Sequence, residues 1–239
     1  MKEEFCYCDL WAAEAYVTAL DSGETTLLQM LEGGIKIHQW LLDWITKKAP
    51  QEVKKYKFGY HNAKQFVHAL NYGIAPKGMS RESQLPIDLC QMVYTFYHSE
   101  FPGIKARLER VREQLKVSRK LRSLLGRQKY FFGPFTQDMF KDAYAWPSQS
   151  VIGELNNIAF TKLYYHSEPW ILPCLNTHDG TVSRVFKNNR EEYRQVIKAA
   201  YSIPLTKNGV TIRIPIEVGF GDNFDEIGFK RVERYSDGS

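Results

Sequence analysis

Residues 3–20 read EEFCYCDLWAAEAYVTAL, and this stretch sets the fold class. Through 3–9 apolar and polar residues alternate with period two, the pattern of a half-buried strand, whereas the alanine-rich run 11–20 reads as a helix. Asp9 therefore stands where a strand gives way to a helix. SerGly at 22 and 23 breaks that helix.

Outward from this junction the periodicity stays helical for most of the chain. TTLLQMLEG (25–33), IHQWLLDWITKK (37–48) and HNAKQFVHALNYG (61–73) read as helices, the last ending at Gly73, where glycine takes a left-handed cap. Residues 86–98 read as a helix stopping at PheProGly, and 104–125 as a long, very basic helix ending at LeuLeuGly. APKGMSRES (75–83) and GRQKYFFGPF (126–135) read as loops, the second basic and aromatic. SQSVIGELNNIAFTKLYYH (148–166) and REEYRQVIKAAY (190–201) complete the helices. Period two returns only late, in ILPCLNT (171–177) and TVSRVF (181–186), which flank HisAspGly as a hairpin whose Asp179 and Gly180 tolerate positive φ. VTIRIPIEVGF (210–220) reads as one last strand, and the tail RYSDGS as frayed. The pattern predicts an α+β fold, a mixed antiparallel sheet contributed by 1–23 and 146–239 and interrupted by a largely helical segment, 24–145.

The 239 residues, 44% hydrophobic and 25% charged, exclude disordered, fibrous and coiled-coil classes and suit one large domain or two packed lobes. No apolar run approaches the ~20 residues that span a bilayer, and MKEEFCYCDL lacks the features of a signal peptide, so the expectation is a cytoplasmic protein with no membrane partner. Thirty-two Lys and Arg against 27 Asp and Glu leave a net charge of +5, compatible with a polyanionic partner without demanding one. Cys6, Cys8, Cys90 and Cys174 form no CxxC pair, which points to reduced thiols rather than a zinc site or a disulfide framework.

Two acids stand out by position, Asp9 at the end of the first strand and Asp179 at the hairpin tip. If the strand pairs beside the hairpin, both carboxylates converge at one sheet end and could hold two Mg²⁺ ions ~3.5–4 Å apart for an in-line phosphoryl displacement; taken alone, an Asp in a hairpin turn is a turn former. On the helix 61–73, Lys64, His68 and Tyr72 recur at i, i+4 and i+8, with His61 close to the same stripe. A cation and flat rings on one face suit a nucleotide's phosphates and base; the plain alternative is a solvated helix face. Trp11, Trp40, Trp44, Trp146 and Trp170 read as core or lobe-junction residues.

Taken in order, these pieces resemble the A family of DNA polymerases, relatives of bacterial DNA polymerase I. CDLWAAEAYVTALDSGE is similar to the family's first palm motif, with Asp9 and, five residues on, Glu14. IKIH places His38 at a phosphate-contacting histidine, and AKQFVHALNYG resembles the fingers-helix motif through Lys64, Tyr72 and Gly73. FYHSEFPGI, LLGRQKYFF and WPSQSVIGELNNIA match a fingers phrase, a basic loop near the template and the helix whose Gln149 lies near the primer end. THDG resembles the last palm motif through His178 and Asp179, and IPIEVGFGDNFDE the closing strand. The departures are Gly180 where a Glu is usual, His68 where an aromatic residue stands four positions after the motif lysine, and Tyr60 where an arginine precedes that lysine by four.

The resemblance implies a polymerase palm with a helical fingers insertion performing template-directed DNA synthesis with two Mg²⁺ ions, Mn²⁺ being a possible substitute. Asp9, Asp179 and the Leu10 carbonyl would hold the metals. Lys64 and His38, helped by His61, would neutralise the triphosphate, and Lys64 would also protonate the leaving pyrophosphate. His68 and Tyr72 would line the nucleotide site, with Tyr72 stacking on the base and Glu14 excluding a 2′-hydroxyl. Gln149, His178, Arg127 and Lys129 would contact DNA. The implied partners are primer-template DNA and deoxynucleoside triphosphates. Because the chain opens only eight residues before Asp9, thumb and exonuclease domains are expected to be absent and a second polypeptide to supply them. The rival readings are a polymerase-derived module that binds primer-template or nucleotide without efficient synthesis, and a metal-dependent nuclease using the same acids.

Overall fold

The first strand, β1 (Glu3–Leu10), becomes the centre of a sheet because both of its edges are taken. On one edge lies β5 (Gly180–Phe186), itself paired with β4 (Ile171–Asn176), and on the other β8 (Ile216–Gly221), paired with β9 (Glu233–Tyr235). Every pairing is antiparallel. The computed structural model describes residues 2–166, 168–227 and 233–235; of the RYSDGS tail expected to fray, Arg234 and Tyr235 instead pair with Glu217 and Ile216 in β9, and 236–239 lie outside the described residues.

Along the chain, β1 leads to α1 (Ala13–Ser22), α2 (Thr25–Glu32), α3 (Ile37–Lys48), α4 (Pro50–Lys55), α5 (Tyr60–Asn71), α6 (Pro76–Ser83), α7 (Ile87–Glu100) and α8 (Pro102–Ser118). A small hairpin, β2 (Lys120–Arg122) and β3 (Gln128–Tyr130), precedes α9 (Gln137–Tyr164). After β4 and β5 come α10 (Arg190–Tyr201), a second small hairpin of β6 (Leu205–Lys207) and β7 (Val210–Ile212), then β8, α11 (Phe224–Ile227) and β9. The chain divides into two compact units, Met1–Val17 with Gln149–Ser239, and Thr18–Ser148.

In the first unit the alternation of β1 is read out directly. Glu4, Cys6, Cys8 and Leu10 are buried while Phe5, Tyr7 and Asp9 are half-buried. The core is completed by Val151, Ile152, Leu155, Ala159 and Leu163 of α9 and by Tyr193, Ile197 and Tyr201 of α10. Glu4, a buried carboxylate, is answered by the Arg190 fork, whose Nε reaches Oε1 at 2.9 Å while Nη2 reaches Oε2; an unanswered charge there would cost several kcal/mol. In the second unit Arg107 of the basic helix α8 is fully buried, bonded through Nε to Asp21 Oδ2 at 2.5 Å and through Nη2 to the Tyr144 carbonyl at 3.0 Å. All four cysteines are free, and among the described residues no helix is long and apolar enough to cross a membrane.

Several elements differ from the sequence reading. Segment 75–83 is the helix α6, not a loop: Pro76 at its first turn pre-sets φ and Met79 gives it a buried anchor. α4 was not foreseen. The helix expected over 104–125 ends at Ser118, because Arg119 turns into the left-handed region at φ 51° with its N–H on the Leu115 carbonyl; LeuLeuGly then forms the tip of the β2–β3 hairpin, which also takes part of the expected loop 126–135. α9 begins at Gln137 rather than 148 and carries Pro147 inside. The expected strand 210–220 is two strands, since Pro215 has no N–H for a ladder and instead accepts the Trp11 N–H at 2.8 Å. Gly180 does not adopt positive φ; its reason for being glycine lies in the site.

Candidate active site

Asp9 takes its place through backbone register. It pairs with Gly180 on β5 and with Glu217 on β8, and the Leu10 N–H donates to the Asp179 carbonyl at 2.9 Å. β1 thus lies beside the hairpin, bringing Asp9, Leu10 and Asp179 to one sheet end. Ala12, at φ 51°, then turns the chain sharply from strand to helix.

The Asp9 carboxyl is pushed up to about 7, first by burial, then by the charge of Asp179 and, to a smaller degree, that of Glu217; a hydrogen bond from the Tyr7 hydroxyl to Oδ1, at 3.2 Å, works the other way. The Tyr7 hydroxyl is itself raised by burial and by Asp9. Negative charge concentrated on a half-buried carboxylate with acidic neighbours fits a hard divalent cation, for which carboxylate and backbone oxygens are the ligands of choice. Among the described residues no group of three or more His, Cys, Asp or Glu side chains stands ready as a metal cage; a divalent ion held by Asp9 and Asp179 would need further oxygens from water or substrate.

The hairpin turn is fastened from beneath. Asn156, fully buried on α9, donates through Nδ2 to the Thr177 carbonyl at 2.6 Å and the Gly180 carbonyl at 2.9 Å, while its Oδ1 accepts from Thr181 at 3.1 Å and from the Tyr201 hydroxyl. Thr177 Oγ1 closes the turn on Gly180 N–H at 3.0 Å. A Cβ at Gly180 would lie 2.6 Å from the Cys8 carbonyl and 2.8 Å from the Tyr7 ring and hydroxyl. Close approach of two strands, with Tyr7 above them, makes this position glycine. Gln149 and His178 are exposed, and a Cβ at Gly153, four residues beyond Gln149, would come 3.8 Å from the His178 ring. Glu14 is half-buried on the first turn of α1.

In the second unit α5 buries Ala63, Phe66, Val67 and Leu70, which leaves Lys64 exposed and His68 and Tyr72 half-buried at the rim. His38 of α3 comes alongside, its ring centroid 5.7 Å from that of His68 and its Nδ1 3.4 Å from the Tyr60 hydroxyl; His68 and Tyr72 are 6.4 Å apart. A cavity of about 320 Å³ opens beside His68 and Tyr72 and extends to Met79 and Glu82. His61 meets Gln65 at 3.1 Å. Arg127 is exposed at the β2–β3 turn, whereas Lys129 gives its ammonium to both carboxylate oxygens of Asp142, at 2.7 and 3.0 Å.

The family model for DNA polymerase family A matches residues 2–226. The chain belongs to DNA polymerase family A. Among family A relatives, the thermostable DNA polymerase I of Thermus aquaticus is 22% identical over 227 residues, 88% of this chain and 26% of its own length. The DNA polymerase I of Helicobacter pylori is 25% identical over 162 residues, 65% of this chain and 18% of its own. This chain spans about a quarter of the length of the first of these family A relatives. A solved structure, the POL domain of Pol1 from M. smegmatis in complex with DNA primer-template and dNTP, matches with a TM-score of 0.77 at 18% identity, over 94% of this chain and 40% of that one; at that identity the match establishes the fold.

Sequence reasoning missed Tyr7, Glu217 and Asn156, and it named Tyr60 only as a departure from the family pattern without foreseeing its contact with His38. Tyr7 was within reach, since it shares a strand face with Asp9. Glu217 and Asn156 become visible only once register and turn are known.

Proposed function

We propose that this chain carries out template-directed DNA synthesis as the palm and fingers portion of a family A DNA polymerase. The observation that carries the reading is the β1–β5 register, which sets Asp9 against the Asp179–Gly180 turn and leaves the Asp9 carboxyl pushed up to about 7 by burial and by Asp179. Two Mg²⁺ ions, when bound, would supply charge neutralisation for in-line nucleotidyl transfer. In the first unit Asp9, Asp179 and the Leu10 carbonyl offer the oxygens, Glu14 excludes a 2′-hydroxyl, and Gln149 and His178 meet the primer-template. In the second unit Lys64, His38 and His61 neutralise the triphosphate, and Lys64 gives a proton to the leaving pyrophosphate oxygen. His68 and Tyr72 present rings to the nucleotide, and Arg127 serves template phosphates, whereas Lys129 would first have to leave Asp142.

Primer extension with all four deoxynucleoside triphosphates and Mg²⁺ tests this reading; no product from the parent chain, alone or with its copurifying partners, overturns it. The crowding at Gly180 favours one second reading, a module that binds primer-template with little synthesis, because an acid there would meet the Cys8 carbonyl and Tyr7 and force the strands to shift; retained binding without extension identifies it. We extend the proposal to a companion polypeptide that grips the duplex. Its support is electrostatic: the net charge is +5 and Arg107 and Arg110 are both committed to Asp21. A monomer that makes long products unaided at physiological salt would sink it.

A further inference from the structure

The β2–β3 hairpin has two chemically different faces, and only one of them is used by the core. Cross-strand register pairs Lys120 with Tyr130, Leu121 with Lys129 and Arg122 with Gln128. Leu121 and the following Phe131 are buried in a cluster with Leu108, Val111, Leu115 and Tyr144. By alternation the other face carries Lys120, Arg122, Tyr130 and, one step beyond the strand, Phe132. Tyr130 is 53% exposed and Phe132 81%. Two large rings side by side in water are not a packing solution, and apolar surface left exposed in this way marks an interaction site.

Their arrangement indicates the ligand. The rings are nearly parallel, with centroids 6.3 Å apart and planes inclined by 16°. The Lys120 ammonium lies 5.7 Å from the Tyr130 ring centroid, and Arg122 Nε reaches only the Gly126 carbonyl, at 3.2 Å. Among the described residues neither Lys120 nor Arg122 has an acidic partner. From Gln114 to Gln137 the sequence holds Lys116, Arg119, Lys120, Arg122, Arg127 and Lys129 and no acidic residue. Flat, exposed rings interleaved with cations suit a polyanion whose bases are unpaired, since every base has a face to stack and every linkage a charge to neutralise. A duplex hides its base faces, and a protein partner would not call for so uniform a charge.

We infer that the outer face of the β2–β3 hairpin is a stacking ledge for single-stranded DNA, with Tyr130 and Phe132 receiving bases and Lys120, Arg122 and Arg127 holding phosphates. That this strand is the unpaired template rests on the polymerase reading; the ledge itself does not.

The test compares an oligo-dT with an abasic oligomer of equal length, by fluorescence anisotropy across a salt series. The expected result is tighter binding of oligo-dT by the parent, about tenfold weaker oligo-dT binding in Phe132→Ala and Tyr130→Ala, and abasic binding unchanged within twofold. Lys120→Gln should weaken both ligands and reduce the salt slope by about 0.7. Because Phe132 is so exposed, its replacement leaves the core intact. The ledge is overturned if the parent binds both oligomers equally, if Phe132→Ala weakens both alike, or if it leaves both unchanged while altering the protein's association state, which would make the rings a protein interface. Loss of primer extension with ring-dependent oligo-dT binding intact would count against the polymerase reading and not against the ledge.

Discussion

The acid pair of the first unit and the histidine–tyrosine row of the second are held in opposite ways. Asp9 and Asp179 are fixed by strand register, by the Leu10–Asp179 backbone bond and by the Asn156 network under the turn. His38, His68 and Tyr72 sit on the rims of two helices, set by ring contacts of 5.7 and 6.4 Å, with Tyr60 against His38. Backbone register admits no partial displacement, because a one-residue slip turns every side chain to the other face. A helix rim tolerates rotamer changes and has neighbouring groups that compensate. The first region should therefore respond to substitution abruptly and the second by degrees.

The largest effect should come from the acids. Asp9→Asn and Asp179→Asn are each expected to lower the primer-extension rate by at least about a thousandfold while leaving the fold and DNA binding intact, since neutralisation matters most at the transition state. A rate within tenfold of the parent in either variant would remove that residue from the centre and erase the contrast.

Next is the support beneath the turn. Asn156→Ala strands buried carbonyl and hydroxyl partners and should cost about 2–3 kcal/mol in chemical denaturation together with roughly a tenfold fall in kcat. A fall in stability with unchanged kcat would separate the turn from the chemistry.

The same Asp9→Asn change should raise stability where it destroys activity. A carboxyl with its folded pKa raised from 3.8 to about 7 is protonated in the native state below that value. As pH rises between the two values the unfolded chain loses its proton first, so the native state is progressively disfavoured and the full cost is present above pH 7. Without divalent metal, Asp9→Asn should therefore be more stable than the parent by about 2 kcal/mol at pH 8, with the gain vanishing toward pH 4. Equal stability at both pH values would mean that the carboxylate is well solvated.

The mildest changes belong to the second unit. His38→Ala and His68→Ala are each expected to raise KM for deoxynucleotides about fivefold with kcat within twofold, as for groups that bind ground and transition states alike. A thousandfold loss of kcat in either would make this region as exacting as the first.

What was legible in the sequence follows the same division. The period-two run 3–9 and the order of motifs up to THDG were enough to expect an antiparallel sheet and to single out Asp9 and Asp179, because strand alternation and chemistry-bearing residue types are local signals. The partners of Asp9 were not legible: Glu217 reaches it across 208 positions of chain through register alone, and Asn156 lay hidden within a helical stretch. The misread boundaries have local causes of a subtler kind. Arg119 ends α8 without glycine or proline, assisted by a 2.6 Å bond to the Gly133 carbonyl and by the Phe135 ring at 4.2 Å, and both partners come from beyond the hairpin. Pro76, which in the sequence marks a loop, starts a helix instead.

Gly180 also constrains the mutational paths open to this chain. A single substitution that places an acid there would introduce a Cβ 2.6 Å from a backbone oxygen and 2.8 Å from Tyr7, so its first effect is to push β1 and β5 apart at the very residues whose spacing defines the centre. Replacing Tyr7 first relieves the ring but not the carbonyl, and it removes the hydroxyl that Asp9 leans on. A third acid at position 180 therefore requires the two strands to part as well as Tyr7 to yield, so no single substitution in this chain supplies one without moving backbone.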